Sequence, residues 1–285
     1  METPGNKNIA IICNPIAGSG RAIELAKKIS VALDNRNIPN GLFEKQWPSD
    51  LVSFTDIFIV GGDGTLNYFI NQYPDILTPL AIFDGGTGND FHWLLYGEKK
   101  FEEQLALVLT TTAKPIDIGK CNEKFFINGV GIGFDGSVAK SLTGKKKKAG
   151  KTSFLIAILK KIFYYRSKSY SIISAEKKED GKKLLIGVAN GRRAGGGFHI
   201  APEAVADDGL FDVITVAAMN PLKRLKYLPV IEKGKHLDLP FIQYFKTKKI
   251  QIESVGPMDI HLDGEYYSDD KVTIEILPGK LLFRY

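Results

Sequence analysis

Short apolar runs alternate with helix-spaced segments through the first part of the chain. Ile9-Ala10-Ile11-Ile12-Cys13 is continuously apolar and too short for a helix, so it reads as a buried strand. It ends in Asn14-Pro15-Ile16-Ala17-Gly18-Ser19-Gly20-Arg21, after which a helical pattern runs over 22–33. The same logic predicts strands over 38–45, 56–60 and 80–83. It predicts helices over 65–72, with Pro74 beyond as a stop, and over 102–109. Strands alternating with helices argue a parallel, doubly wound α/β sheet. Turns that follow such strands fall at the carboxyl edge, where these folds bind ligands.

The texture changes after Pro115. Residues 116–120 lead into 124–128 and then a run of glycines to Gly136, which reads as tight turns. Residues 153–165 are apolar with basic interruptions at Lys160 and Lys161, which suits one amphipathic helix. Strand-like runs dominate from there, at 170–175, 184–189, 211–216, 249–253, 258–262 and 271–277, with a helix over 221–233. This predicts an antiparallel β-rich second domain. The boundary falls near 116–120, giving domains of 1–117 and 118–285.

Composition narrows the class. With 285 residues, 44% hydrophobic and a net charge of +6, the chain is an ordinary globular protein with a real core. Two cysteines, Cys13 and Cys121, argue against a disulfide scaffold and for a reducing cytoplasm. No apolar run reaches the length of a spanning helix, and the start lacks a signal-peptide core. The basic excess concentrates at Lys145 to Lys148 and the residues that follow. A solvated loop is the plain account of it, and docking on anionic lipid the functional one. Nothing points to nucleic acid.

The candidate chemistry sits in the turns. Gly61-Gly62-Asp63-Gly64-Thr65-Leu66-Asn67 joins a buried strand to a helix N-terminus, a geometry that leaves backbone N–H groups facing an anion. Asp63 is a poor phosphate ligand and suits a group that orients a metal or water. Gly86-Thr87-Gly88-Asn89-Asp90 follows the next strand. Two look-alikes carry less. Gly131-Ile132-Gly133-Phe134-Asp135-Gly136 matches a dinucleotide fingerprint as a string, but in a β-rich context without the later acidic residue. Gly144-Lys145-Lys146-Lys147-Lys148-Ala149-Gly150-Lys151-Thr152 imitates a P-loop with the wrong spacing. Asp263-Gly264-Glu265 and Asp207-Asp208-Gly209 could each be a plain turn.

The glycine-rich turns together resemble the diacylglycerol kinase catalytic domain of bacterial lipid kinases and sphingosine kinases. The likeness continues through Asn190-Gly191, Gly195-Gly196-Gly197-Phe198, Ala201-Pro202, Asp207-Asp208-Gly209-Leu210-Phe211 and His261-Leu262-Asp263-Gly264-Glu265-Tyr266, in the family's order. It implies an NAD kinase- and phosphofructokinase-like first domain, a β-rich lipid-substrate domain, and an active site in the cleft between them. It implies ATP and Mg²⁺ as cofactors and transfer of the γ-phosphate to a lipid hydroxyl. ATP would lie on Asn14, Pro15, Ile16, Ala17, Gly18, Gly61, Gly62, Asp63, Gly64, Thr65, Leu66, Asn67 and Thr87. The resemblance makes Asp263 the proton acceptor and gives Asp63, Asp90, Asp117 and Glu265 the organisation of Mg²⁺-ATP. It gives a structural Mg²⁺ to Asp208 with the carbonyls of Val205 and Leu210. Where the family often carries Ala-Arg, this chain has His92-Trp93, so a basic contact would come from elsewhere, with Arg21, Arg192 and Arg193 as candidates. The four histidines show no metal spacing.

The partners implied are ATP and a lipid at the inner membrane surface, approached from the cytoplasm. A homodimer through exposed β edges stays open. A soluble-alcohol kinase of the NAD kinase type and a regulator without catalysis stand as alternatives.

Overall fold

The computed structural model describes residues 7–144 and 151–285; the Lys145 to Lys148 run lies outside the described residues. The chain divides into two units. One is Met1–Ile116 with Gly279–Tyr285, and the other is Asp117–Pro278. Among the described residues no helix is long and apolar enough to cross a membrane.

The first unit runs β1 (Ile9–Cys13), α1 (Arg21–Asp34), β2 (Asn40–Phe43), β3 (Asp56–Gly61), α2 (Asp63–Gln72), β4 (Leu80–Asp84), α3 (Asp90–Tyr96) and α4 (Phe101–Thr110). The strands pair in parallel in the order β2-β1-β3-β4. Every residue of β1 and β3 is buried, which is why both read as unbroken apolar runs rather than as alternation. In α1, Ala22, Ala26, Ile29 and Leu33 are buried, the spacing of a single helical stripe.

The C-terminal segment closes this unit. Phe283 pairs in parallel with Leu80 and meets the Phe91 ring edge-on at 5.4 Å. The Arg284 guanidinium donates to Asp56, which also takes Lys7 at 3.0 Å. Tyr96 Oη donates to the Arg284 carbonyl at 2.8 Å. A carboxylate as buried as Asp56 is tolerated because two cations compensate it.

The second unit contains β5 (Ala113–Cys121, which begins in the first unit), β6 (Lys124–Phe126), β7 (Gly129–Gly133), α5 (Phe134–Leu142), α6 (Lys151–Tyr164), β8 (Lys168–Ser174), β9 (Lys178–Ala189), β10 (Phe211–Ala217), α7 (Pro221–Glu232), β11 (Ile242–Thr247), β12 (Lys249–Leu262) and β13 (Glu265–Arg284, whose end returns to the first unit). Its strands pair antiparallel in the order β11-β10-β9-β7-β12-β13, and β8 pairs with both β9 and β12. Inward residues such as Val130, Ile132, Ile186, Val188, Val213 and Ile260 form one apolar cluster.

Several elements differ from the sequence expectations. The runs at 249–253 and 258–262 are one strand, β12, broken by a register shift between Glu253 and Met258 where Gly256 takes φ +85°. Helix α5 begins inside the glycine run that reads as turns. Gly133 supplies φ +90° before it, and a Cβ on Gly136 would lie 2.1 Å from the Asp259 carbonyl oxygen. Glycine there lets α5 press directly on the β12 backbone.

Candidate active site

The three glycine-rich turns of the first unit touch through their backbones. A Cβ on Gly18 would lie 2.4 Å from the Gly85 oxygen, and one on Gly62 2.5 Å from the Gly88 oxygen. A Cβ on Gly86 would lie 2.2 Å from Gly62 Cα. Contacts this short admit only hydrogen at those positions, so the glycines are there for approach between turns. Asn14 stitches the first two turns: its Oδ1 accepts from Ile16 N–H at 3.3 Å and its Nδ2 donates to Thr65 Oγ1 at 3.5 Å. Arg21, at the start of α1, donates to Asp84 at 2.9 Å and to the Gly86 carbonyl, binding the first turn to the third.

The N-termini of α1 and α2 meet this region with Gly20 and Gly62 as caps, neither of which offers a side-chain acceptor. In α2 the Asp63 N–H donates to the Gly88 carbonyl at 3.1 Å and the Thr65 N–H to the Gly62 carbonyl at 2.9 Å, so it is chiefly the helix dipoles that favour an anion here. Ile16, Gly64 and Thr87 are exposed, and Pro15, Ala17 and Asn67 half-buried. Leu66 is fully buried, so only its backbone could face a nucleotide.

Asp63, to which the resemblance gives a part in organising Mg²⁺-ATP, is engaged by backbone amides. Its Oδ2 accepts from Asp90 N–H and its Oδ1 from Phe91 N–H, each at 3.0 Å. The carboxylate therefore caps α3 and fixes the third turn against the second. Asp90 is buried at the first position of that helix. His92 is buried too, with Nε2 3.0 Å from Gln104 Oε1, and burial lowers its pKa; Trp93 stands where the family often carries arginine, so that position offers no charged contact.

In the second unit Asp263 and Gly264 form the two-residue connection of a hairpin, with Leu262 opposite Glu265. Both turn residues have positive φ, +49° and +88°, as a type I′ turn requires. The hairpin reading and the functional reading are thus compatible. The Asp263 carboxylate accepts from Ile127 N–H at 2.8 Å, Asn128 N–H at 2.8 Å and Gly129 N–H at 2.9 Å. These bonds set the carboxylate's orientation from the β7 side. Glu265 is exposed at the first position of β13.

Asp117 is nearly fully buried and organises the loop before β10. Its Oδ2 accepts from Gly209 N–H at 2.7 Å, its N–H donates to Ala206 O at 2.8 Å, and its carbonyl accepts from Asn190 Nδ2 at 2.8 Å. Asn190 also donates to Ile127 O at 2.9 Å, linking this loop to the segment that holds Asp263. Arg192 is a loop clamp, its Nε on Ala204 O at 2.8 Å.

Asp208 accepts from Leu210 N–H at 3.0 Å and pairs with Lys246 Nζ at 2.8 Å. Lys246 also lies 3.6 Å from Asp212, whose pKa burial raises. The loop thus already gathers a cationic group, a donor set that suits positive charge. Among the described residues no three His, Cys, Asp or Glu side chains are arranged to hold a metal. Lys246 has no motif in the sequence to mark it; only its pairing across β10 and β11 brings it here.

Comparison with known proteins agrees with this architecture. Residues 8–121 match the family described as diacylglycerol kinase catalytic domain, and 128–283 the YegS C-terminal NAD kinase beta sandwich-like domain. A Shewanella frigidimarina protein named "Probable lipid kinase YegS-like" is 30% identical over 233 residues, covering 80% of this chain and 75% of that one. A protein named diacylglycerol kinase from Mycobacterium tuberculosis is 25% identical over 290 residues, covering 96% and 93%. The crystal structure of a candidate diacylglycerol kinase from Bacillus anthracis superposes with a TM-score of 0.80 at 26% identity, covering 98% and 95%.

Proposed function

The chain belongs to the bacterial diacylglycerol kinase and YegS-like lipid kinase family, and from that premise we propose that it transfers the γ-phosphate of ATP to a lipid hydroxyl. The observation that carries the reading is the division of labour between the two units. The first has an anion cradle built of contacting glycine turns, and the second has a carboxylate aimed by three backbone N–H groups.

The cradle amides and Arg21 bind and orient the triphosphate. Asp263 accepts the hydroxyl proton of the acceptor as the phosphoryl group moves; a weak base suffices because the proton is lost only in the transition state. Asp63 and Asp117 act indirectly, by holding their turns. Mg²⁺ bound with ATP supplies charge neutralisation on the triphosphate. Asp90 is the carboxylate assigned to orient it beside the cradle, and Glu265 serves the acceptor side. Asp208, with the carbonyls of Val205 and Leu210, is assigned a structural Mg²⁺ in exchange for the Lys246 ammonium. Removal of Mg²⁺ with a chelator is then expected to lower the melting temperature of the wild type; no change with chelator removes that assignment.

The acceptor is drawn from a membrane surface. α6 buries Ala157, Ile158 and Ile162 but exposes Leu155, Ile156, Leu159, Phe163 and Tyr164 beside Lys160 and Arg166. α7 is joined to it by Arg224, whose Nη1 donates to Ile162 O at 3.0 Å and Tyr165 O at 2.8 Å, and adds exposed Leu222 and Leu225. Exposed apolar side chains accompanied by basic residues suit anionic bilayers.

Labelled ATP offered with diacylglycerol, phosphatidylglycerol, ceramide, sphingosine and NAD tests the assignment. Label in the lipid extract that depends on one added lipid is the expected result. Transfer to NAD, or to none of them, overturns it.

A further inference from the structure

His261 has no part in the chemistry described so far, yet both of its ring nitrogens are engaged. Its Nε2 lies 2.8 Å from Asp135 Oδ2, in the first turn of α5, and its Nδ1 accepts from Gly264 N–H at 3.2 Å. The ring is buried. The backbone around it is built to admit this bridge. Gly131 lies directly across from His261 in the β7–β12 pairing. A Cβ there would sit 2.3 Å from His261 Nε2 and 2.5 Å from Asp135 Oδ2. Gly136 then lets α5 seat on the Asp259 carbonyl, which places Asp135 at the right height. The glycine string that imitates a dinucleotide fingerprint thus has a physical purpose of another kind.

We propose that His261, held by Asp135, is a positioning residue for phosphoryl transfer: it fixes the Gly264 amide and so helps aim the carboxylate of Asp263, which the amides of Ile127, Asn128 and Gly129 also hold. The inference rests on the assignment of Asp263 as proton acceptor. Donation from Gly264 requires a lone pair on Nδ1, so the ring carries its hydrogen on Nε2, facing Asp135. The Asp263 turn has positive φ at both residues and only two residues of length, so its carboxylate moves with any change at Gly264. Transfer rates respond to displacements well below 1 Å.

Two substitutions separate the two ends of the bridge. In His261→Asn the amide oxygen falls near the Nδ1 position and can still accept from Gly264. In His261→Gln the terminal amide reaches the Nε2 position and keeps only the Asp135 side. With labelled ATP and the lipid that supports wild-type turnover, kcat is expected to fall about tenfold further in His261→Gln than in His261→Asn, with KM for ATP unchanged in both. Equal kcat values, or the reverse order, overturn the proposal. Should either variant fail to fold, Asp135→Ala, which releases the ring, is expected to lose kcat with KM for ATP unchanged, and Asp135→Asn, which can still accept from Nε2, to lose less. Unchanged kcat in Asp135→Ala overturns the proposal equally. Asp263→Asn run alongside separates the two levels. If it turns over normally, the assignment of Asp263 fails; if it is inactive while the His261 and Asp135 variants behave as wild type, only the role of His261 fails. Nitrogen-15 histidine spectra give a readout independent of activity, with Nε2–H expected and Nδ1–H contradicting.

Discussion

Two turns of this protein share the dipeptide Asp-Gly: Gly62-Asp63-Gly64 in the first unit and Leu262-Asp263-Gly264 in the second. In both, the aspartate accepts backbone N–H groups from a neighbouring segment. The turns differ in what surrounds the carboxylate. Asp63 is buried at a strand-to-helix junction and its two oxygens cap another helix, so it holds two glycine-rich turns together. Asp263 sits less buried on the tip of a hairpin, its carboxylate held by backbone amides and the next residue, Gly264, held by His261. An aspartate in a glycine turn is therefore a clamp when the turn is packed under other turns, while one on a hairpin tip stays open to the role of proton acceptor proposed for Asp263.

The contrast can be broken by substitution. The largest effect is expected for Asp263→Asn, with kcat falling by about 10³ and KM for ATP unchanged, since loss of a general base costs roughly 10²–10⁴. A steady-state assay with labelled ATP reads it. Gly62→Ala should come next, destabilising the first unit by about 3 kcal/mol because the new methyl meets backbone at 2.5 Å and not a movable side chain. Denaturant unfolding measures that, and nucleotide affinity should fall with it. Asp63→Asn should follow at about 2 kcal/mol, from two charge-assisted bonds to α3 that an amide satisfies only in part. Its signature is a raised KM for ATP with kcat nearly kept. A collapse of kcat at constant KM would make Asp63 a second reactive group and erase the contrast. Smallest is Gly264→Ala, about 1 kcal/mol, because nothing lies within 4 Å of the added methyl and only the positive φ resists it.

The same contrast explains what could be read from the chain. Apolar runs ending in glycine are local signals, so β1, β3 and β4 and the turns after them were legible. α3 was not, because seven residues beginning beside Gly88-Asn89 are too few to show a period. α5 was hidden by glycines whose purpose, close approach to β12 and room for His261, exists only in the folded chain. The capping role of Asp63 and the loop-holding role of Asp117 are likewise tertiary: each joins segments distant in sequence, 27 residues apart for Asp63 and Asp90 and 92 for Asp117 and Gly209. A motif names such residues but does not say whether they face substrate or backbone.

The return of Gly279–Tyr285 to the first unit has a consequence for how the molecule is made. Synthesis delivers Met1–Ile116 first, but its buried Asp56 gains Arg284 and its β4 gains Phe283 only after roughly 160 intervening residues have been added. At about 5–20 residues per second, that is a wait on the order of ten seconds or more. Throughout it the first unit keeps an acid under-compensated and a strand edge unpaired. Of the two units, the one whose synthesis starts first is thus the last to close.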